Sequence, residues 1–316
     1  MLTSLILGIF TFVQLNCENF FDCTHDSLKQ DSEYLSDSPR HWNSNRYWKK
    51  LGNISKEILA CGHKDERGTD MIPDLVALCE VENNSVLHYL TKRGLLRNAK
   101  YEYVMTDSPD QRGIDVALLY SPMSFRLIDS YPLRVAPLKG MRPTRDILYA
   151  TGEVASGDTI HVFVLHAPSR FSGKGKTTPY RMQVMRRLMA SVDSIRSIHP
   201  NPMIIVSGDF NDESKDKSIR FLEAGALSEV SAGVTGSHGA KGTYKYQGVW
   251  QSIDHILVSQ RMRERLKRCF VNDLPFLMES DEKFGGVKPF RTYNGYRYAN
   301  GFSDHLPLVA QFELEE

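Results

Sequence analysis

Cysteine is too sparse in this chain to build a framework. The five residues, at 17, 23, 61, 79 and 269, form no CxxC and no Cys/His cluster at zinc-ligand spacing, which argues against a disulfide-stapled fold or a zinc module. An excess of one charge sign is also missing. Lys+Arg number 39 against 38 Asp+Glu, a net +1 with His neutral, so nothing electrostatic argues for tight nucleic-acid binding. A brief enzymatic grip on a phosphodiester stays compatible with that balance. No apolar run is long enough to span a bilayer, since the stretch from Leu2 to Val13 is short and broken. That stretch could serve as the apolar part of a secretory leader, but the first Lys or Arg is Lys29, so it has no basic segment before it. No integral membrane segment is expected. The compartment stays open: secreted or periplasmic if a leader has been clipped, otherwise cytoplasmic.

What is present is globular: 41% hydrophobic and 24% charged residues over 316 positions, outside the range of disordered or fibrous chains. Strand-length apolar runs, β-branched or aromatic, recur at 10–15, 74–79, 115–120, 159–165, 203–206, 253–258 and 306–312. Helix-period segments lie between some of them, at 46–60 and at 180–198. In the second, Met182, Met185, Leu188, Met189, Val192 and Ile195 form one stripe. Strands and helices alternate through the whole length, with no Pro/Gly/Ser linker and no repeat, so a single α/β domain over 1–316 is expected. Two long polar or aromatic-rich stretches, 24–45 and 272–302, read as functional loops.

Most of these runs finish in acids, amides or histidines. The run at 74–79 meets Glu80, that at 159–165 meets His166, and that at 203–206 leads to Asp209 and Asn211. Asp254 opens another run, and Ser303, Asp304 and His305 precede the last. One such residue alone is ordinarily a solvated turn former; the joint pattern is specific. The stretches LNCENFFD (15–22), LCEVEN (78–83), RGIDVALLY (112–120), LHAPSR (165–170), SGDFND (207–212), GTYKYQGVWQSIDHILVS (242–259) and GFSDHLPL (301–308) resemble, in order, those of the endonuclease/exonuclease/phosphatase superfamily, and in particular a group of Bacteroidetes members. The resemblance implies a DNase I-like four-layer sandwich: two β-sheets face to face, flanked by helices, with the active site at one end.

It also implies roles. Asn16, Glu80 and Asp304 match the metal-binding positions, for Mg²⁺ with Mn²⁺ or Ca²⁺ as substitutes; hard oxygen donors suit such cations. His305 matches the histidine that acts as base or polarises the phosphate, and Asp254 the acid that orients it. Asp209 and Asn211 match the pair that positions the attacking water. His166 matches the histidine that contacts the scissile phosphate or the leaving oxygen. Asp115 is a candidate for orienting His166. Arg170 is either a phosphate clamp or a surface charge, while His161, Glu82 and Cys79 read as structural.

The implied activity is metal-dependent phosphodiester hydrolysis by a monomer. Neither the Trp-Cys-Asp-Arg run of inositol-phosphatase members nor the Tyr-Pro-Asn turn of abasic-site endonucleases appears, so a nuclease acting on DNA or RNA leads. A sphingomyelinase-like or other lipid or small-molecule phosphoesterase is the alternative, and a non-catalytic binding protein the third. The stretch 289–302 interleaves aromatics with arginines, and Tyr296 and Arg297 there are candidates for stacking bases and holding phosphates.

Overall fold

Period-two alternation puts successive side chains of a strand on opposite faces, and in this protein both faces are buried. In the strand Leu7–Phe20 (β1), Phe10 and Phe12 belong to one core while Val13 and Leu15 belong to another. The computed structural model describes residues 7–171 and 173–315; residues 1–6, the start of the leader-like stretch, lie outside the described residues.

After β1 come Leu75–Val81 (β2), Glu102–Met105 (β3), Asp115–Tyr120 (β4), Arg126–Leu133 (β5), Ile147–Glu153 (β6) and Thr159–His166 (β7). Met203–Asp209 (β8), Ser228–Glu229 (β9), Asp254–Val258 (β10), Leu266–Val271 (β11) and Leu308–Glu315 (β12) follow. They form two six-stranded sheets, ordered β11–β12–β1–β2–β4–β3 and β9–β10–β8–β7–β6–β5. Each sheet has a central parallel pair, β1 with β2 and β7 with β8, among antiparallel neighbours.

The sheets face each other across a core that includes Phe12, Ala77 and Leu118 from one and Ala150, Val162 and Ile205 from the other. The helix Ser44–Leu59 (α1) covers the outer face of the first sheet with Leu51, Ile54 and Ile58, spaced for one helical face. Its N-cap is Asn43, whose side chain accepts from the Arg46 amide at 3.2 Å. The helix Lys174–Ile198 (α2) covers the second sheet with Val184, Leu188 and Val192. The result is the expected helix–sheet–sheet–helix sandwich. Among the described residues no helix is long and apolar enough to cross a membrane.

Three features differ from the sequence reading. β1 runs on to Phe20, so Asn16 lies inside a strand and not after one. β5, β3 and β11 escape the apolar-run criterion because they are half-exposed strands at or beside a sheet edge; β6, buried along nearly its whole length, is not among the expected runs either. The stretch 272–302 is not open loop: it folds into two small hairpins, Met278–Ser280 with Val287–Pro289 and Tyr293–Asn294 with Arg297–Tyr298.

Candidate active site

Both strands of the first central pair break register at the same end. β1 shifts between Asn16 and Phe20, where Glu18 and Asn19 take positive φ, and β2 shifts between Cys79 and Val81, where Glu80 has φ of 62°. Bulges of this kind re-aim side chains, and left-handed backbone at non-glycine residues costs about 1–3 kcal/mol each, held only by the surrounding structure. Here the bulge carries Glu80 off the β2 ladder. Its Oε2 accepts from the Asn19 amide at 2.8 Å. Its Oε1 lies 3.9 Å from Arg112 Nη2 and 4.0 Å from His166 Nε2, with no donor at hydrogen-bond distance among the described residues.

The second central pair ends beside the first. β8 carries Asp209, and Gly208 before it has φ of 153° with no room for a side chain: a Cβ there would sit 1.8 Å from the Leu165 carbonyl oxygen. That close approach sets Asp209 in register with His166 of β7. Asp209 Oδ1 accepts from the Asn211 amide at 2.9 Å; its Oδ2 accepts from Asn16 Nδ2 at 3.1 Å and lies 3.5 Å from His166 Nε2. Asn211, with φ of 52°, donates from Nδ2 to the Ala167 carbonyl at 3.1 Å.

Opposite Asp209 on β10, Asp254 holds His305: its Oδ2 lies 2.7 Å from His305 Nδ1 and accepts from Thr243 Oγ1 at 2.6 Å. The Tyr244 ring packs on the His305 ring with centroids 4.8 Å apart. Ligand atoms of Asp209, Asp254 and His305 all fall within 4.8 Å of one another, and all three residues are buried.

The electrostatics follow from burial. For His305 burial favours the neutral ring, but the Asp254 carboxylate, with Asp304 and Asp209 adding to it, outweighs that and raises the pKa to about 10. Burial and then Asp254 push the Asp209 carboxyl up to about 7. His166 goes the other way: burial, then Arg145, Arg112 and His305, hold it well below the ordinary value, so it is neutral. For Asp304 burial opposes ionisation, yet Arg291 and His305 keep its carboxyl below the usual range. Arg291 Nη2 lies 2.6 Å from Asp304 Oδ2.

Glu80, Asn16 and Asp304 offer oxygens of the kind a hard divalent cation takes. Glu80 keeps one oxygen without a donor among the described residues, while Asn16 Oδ1 accepts from the Glu18 amide at 3.0 Å and Asp304 Oδ2 is paired with Arg291. Asn16 pairs in register with Cys79, next to Glu80, and Ser303 donates to the Asn16 carbonyl at 2.5 Å, tying the Asp304 segment to the same corner. The Asp209–Asp254–His305 group could also hold an ion, since each residue offers a ligand atom and these lie within 4.8 Å of one another.

Four candidates stand elsewhere than the sequence suggests. Asp115 does not orient His166. Its carboxylate accepts from Thr106 Oγ1 and the Ser108 amide, and His166 Nδ1 has no hydrogen-bond partner among the described residues. Arg170 is neither a free phosphate clamp nor a plain surface charge: it donates to the Asn211 carbonyl and, at 3.1 Å, to Asp216 Oδ2, bracing the turn that carries Asn211. Tyr296 and Arg297 are exposed on the second hairpin, with Tyr296 against the Arg40 guanidinium, 5.4 Å from its ring centroid. The neighbouring aromatics Phe290, Tyr293, Tyr298 and Phe302 pack inward against the cores.

Sequence reasoning left other residues unassigned. Arg112, Thr243 and Tyr244 lie inside quoted motifs, which is the signal that could have found them. Arg291 lies in the stretch 289–302, but only the fold pairs it with Asp304. Arg145 lies in none, and it donates to the His166 and Ala167 carbonyls at 3.2 and 2.9 Å.

Over residues 11–314 the chain matches a family model described as endonuclease/exonuclease/phosphatase. No curated protein matches it in sequence. Its fold is similar to that of an endonuclease/exonuclease/phosphatase family protein from Bacteroides thetaiotaomicron, with 17% identity and a TM-score of 0.63, covering 98% of this chain and 100% of that one. A mannosyl-6-phosphatase of the same organism is similar at 17% identity and TM-score 0.60, over 95% and 98% of the two chains. The human nocturnin catalytic domain, solved with a sulfate anion, is similar at 19% identity and TM-score 0.56, over 97% of each chain. At these identities the likeness is one of fold.

Proposed function

Because the chain belongs to the endonuclease/exonuclease/phosphatase family, we propose that it is a Mg²⁺-dependent phosphoesterase, acting as a monomer by water attack on a phosphoester. The observation that carries this reading is the buried group of Asp209, Asp254 and His305 with neutral His166 beside it. Asn16, Glu80 and Asp304 would hold the cation, with Mn²⁺ or Ca²⁺ as substitutes. A cation there supplies charge that offsets the developing negative charge on the phosphate oxygens.

The protein's own groups do the rest. Asp209, with its carboxyl raised to about 7, is matched to accept a proton from water near neutral pH. Asn211, fixed through its amide and side chain, orients that water. His305, its Nδ1 committed to Asp254, presents the other ring nitrogen as a donor to the phosphate. His166 Nε2 serves the leaving oxygen or the phosphate from the opposite sheet. Glu80 and Asp209 stand within 4.0 Å of that nitrogen.

For substrate, the nuclease reading rests on free aromatic faces in 289–302. Four of the five aromatics there, Phe290, Tyr293, Tyr298 and Phe302, pack inward, which favours the second reading, a small phosphoester; the similarity in fold to a mannosyl-6-phosphatase is compatible with it. Hydrolysis of bis-p-nitrophenyl phosphate, lost with EDTA and restored by Mg²⁺, is the expected result. No turnover with Mg²⁺, Mn²⁺ or Ca²⁺ would sink the reading in favour of a non-catalytic scaffold. Parallel assays on plasmid DNA, RNA, sphingomyelin and inositol phosphates then rank the substrates.

A further inference from the structure

The inward face of α1 is not all apolar. Lys50 lies on it with 1% exposure, although lysine is almost never fully buried unless paired. Its Nζ reaches no carboxylate at ion-pair distance among the described residues. It donates instead to Thr292 Oγ1 and to the Phe302 carbonyl, both at 2.6 Å. Desolvating an ammonium is costly, and an apolar side chain would fill the same space without that cost. What the ammonium adds is several donors on one atom, which lets it hold two separate points of the chain at once.

Those two points are the ends of one loop. Thr292 opens the stretch that contains the hairpin Tyr293–Asn294/Arg297–Tyr298, and Phe302 closes it. Thr292 Oγ1 donates in turn to the same Phe302 carbonyl at 3.0 Å. Asn53, three residues further along α1 and so on the same side of the helix, donates from Nδ2 to the Gly301 carbonyl at 2.7 Å and to the Asn300 carbonyl at 3.2 Å. The neck of the loop is also tied to the β1 bulge, where the Glu18 carboxylate accepts from the Thr292 and Tyr293 amides at 2.6 and 3.1 Å. Just outside the neck stand Arg291 on one side and Ser303, Asp304 and His305 on the other. Arg291 pairs with Asp304 at 2.6 Å, and Ser303 donates to the Asn16 carbonyl at 2.5 Å. The point at which Lys50 closes the neck is therefore the point from which the chain delivers two site residues.

We propose that Lys50 is a positioning residue for the active site: by closing the neck of 292–302 against α1 it fixes where Asp304 and His305 enter the site, while bonding to neither side chain. This rests on the phosphoesterase reading and adds to it a residue remote from the reacting atoms. The test compares the wild-type protein with three variants. Lys50→Met keeps the length of the side chain and removes its donors, Lys50→Gln keeps a donor without the charge, and Ile58→Val loosens the same buried helix face without removing a hydrogen bond to the loop. Mg²⁺ affinity is measured by titration calorimetry without substrate, kcat and KM on bis-p-nitrophenyl phosphate at saturating Mg²⁺, and Tm for each protein. Loss of a residue that orients metal ligands typically costs about 10–100-fold in metal affinity or activity. Lys50→Met should accordingly raise the Kd for Mg²⁺ and lower kcat by about tenfold or more each, with KM for the ester nearly unchanged. Lys50→Gln should fall between it and the wild type. Ile58→Val should lower Tm and leave Kd and kcat close to wild type. Wild-type Kd and kcat in folded Lys50→Met, or equal losses in Ile58→Val, would overturn the proposal while leaving the phosphoesterase reading in place. If Lys50→Met does not fold, Lys50→Gln decides on the same terms. A wild-type protein that neither binds Mg²⁺ nor hydrolyses the ester would sink both.

Discussion

Nε2 of His255 lies 2.7 Å from the carbonyl oxygen of Asp212, and its Nδ1 lies 2.7 Å from Oε1 of Glu229. A carbonyl and a carboxylate only accept, so the ring donates from both nitrogens and is an imidazolium in a fully buried place. Around the same turn, Arg181 Nε lies 2.8 Å from Asp212 Oδ2, and Arg170 donates to the Asn211 carbonyl. Three cations thus brace a turn whose Asn211 sits at positive φ, which is how its strained backbone persists.

The pH dependence of stability follows from that arrangement. Burial alone would lower the pKa of His255, but the hydrogen bond and charge of Glu229 raise it. Its contribution is complete below the unfolded value of about 6.5 and is lost as pH rises through the folded value. Burial opposes ionisation of Glu229, but His255 holds its carboxyl low; that contribution is complete above about 4.3 and is lost as pH falls through the folded value. Tm measured from pH 5 to 10 should decline on the alkaline side, with His305 adding to the decline in the same direction. His255→Gln should flatten that decline, and an unchanged alkaline slope would show that the ring is not cationic in the folded state. Glu229→Ala should cost about 3–5 kcal/mol, as expected when one partner of a buried ion pair is removed.

Asp254→Ala and His305→Ala should each lower kcat by several orders of magnitude, with the double variant little worse than either. The 2.7 Å contact between them makes them one unit, and such residues are non-additive. Rate losses that multiply would show that they act separately.

Glu80→Gln should abolish metal-supported turnover while leaving Tm close to wild type. The side chain lies outside the packed cores, so the change removes charge from an oxygen site and no core volume. Near wild-type kcat at saturating Mg²⁺ would remove Glu80 from the metal set.

Tyr296→Ala and Arg297→Ala should have similar, small effects on bis-p-nitrophenyl phosphate and on a polynucleotide, since both side chains stand exposed on a hairpin while its neighbours carry the packing. A selective rise in KM for the polynucleotide would restore the nuclease reading.

The order of strand ends carrying Glu80, His166, Asp209, Asp254 and His305 was legible in the chain, because a polar residue bounding an apolar run, before or after it, marks where a strand meets the edge of the core, whatever lies opposite. The α/β class and the apolar face of α2 were legible for a similar reason: periodicity is local. The two bulges were not, since a register shift is a relation between strands. Nor was the pairing of Arg291 with Asp304, which joins the end of one hairpin to the entry of β12. Asp115 shows the same limit from the other side. Its place at the start of β4 could be read from the pattern, but its hydrogen bonds to Thr106 and Ser108 depend on the turn that leads back from β3. Hydrogen bonds act over about 3 Å, and which groups come that close was decided by how the two sheets and their hairpins pack.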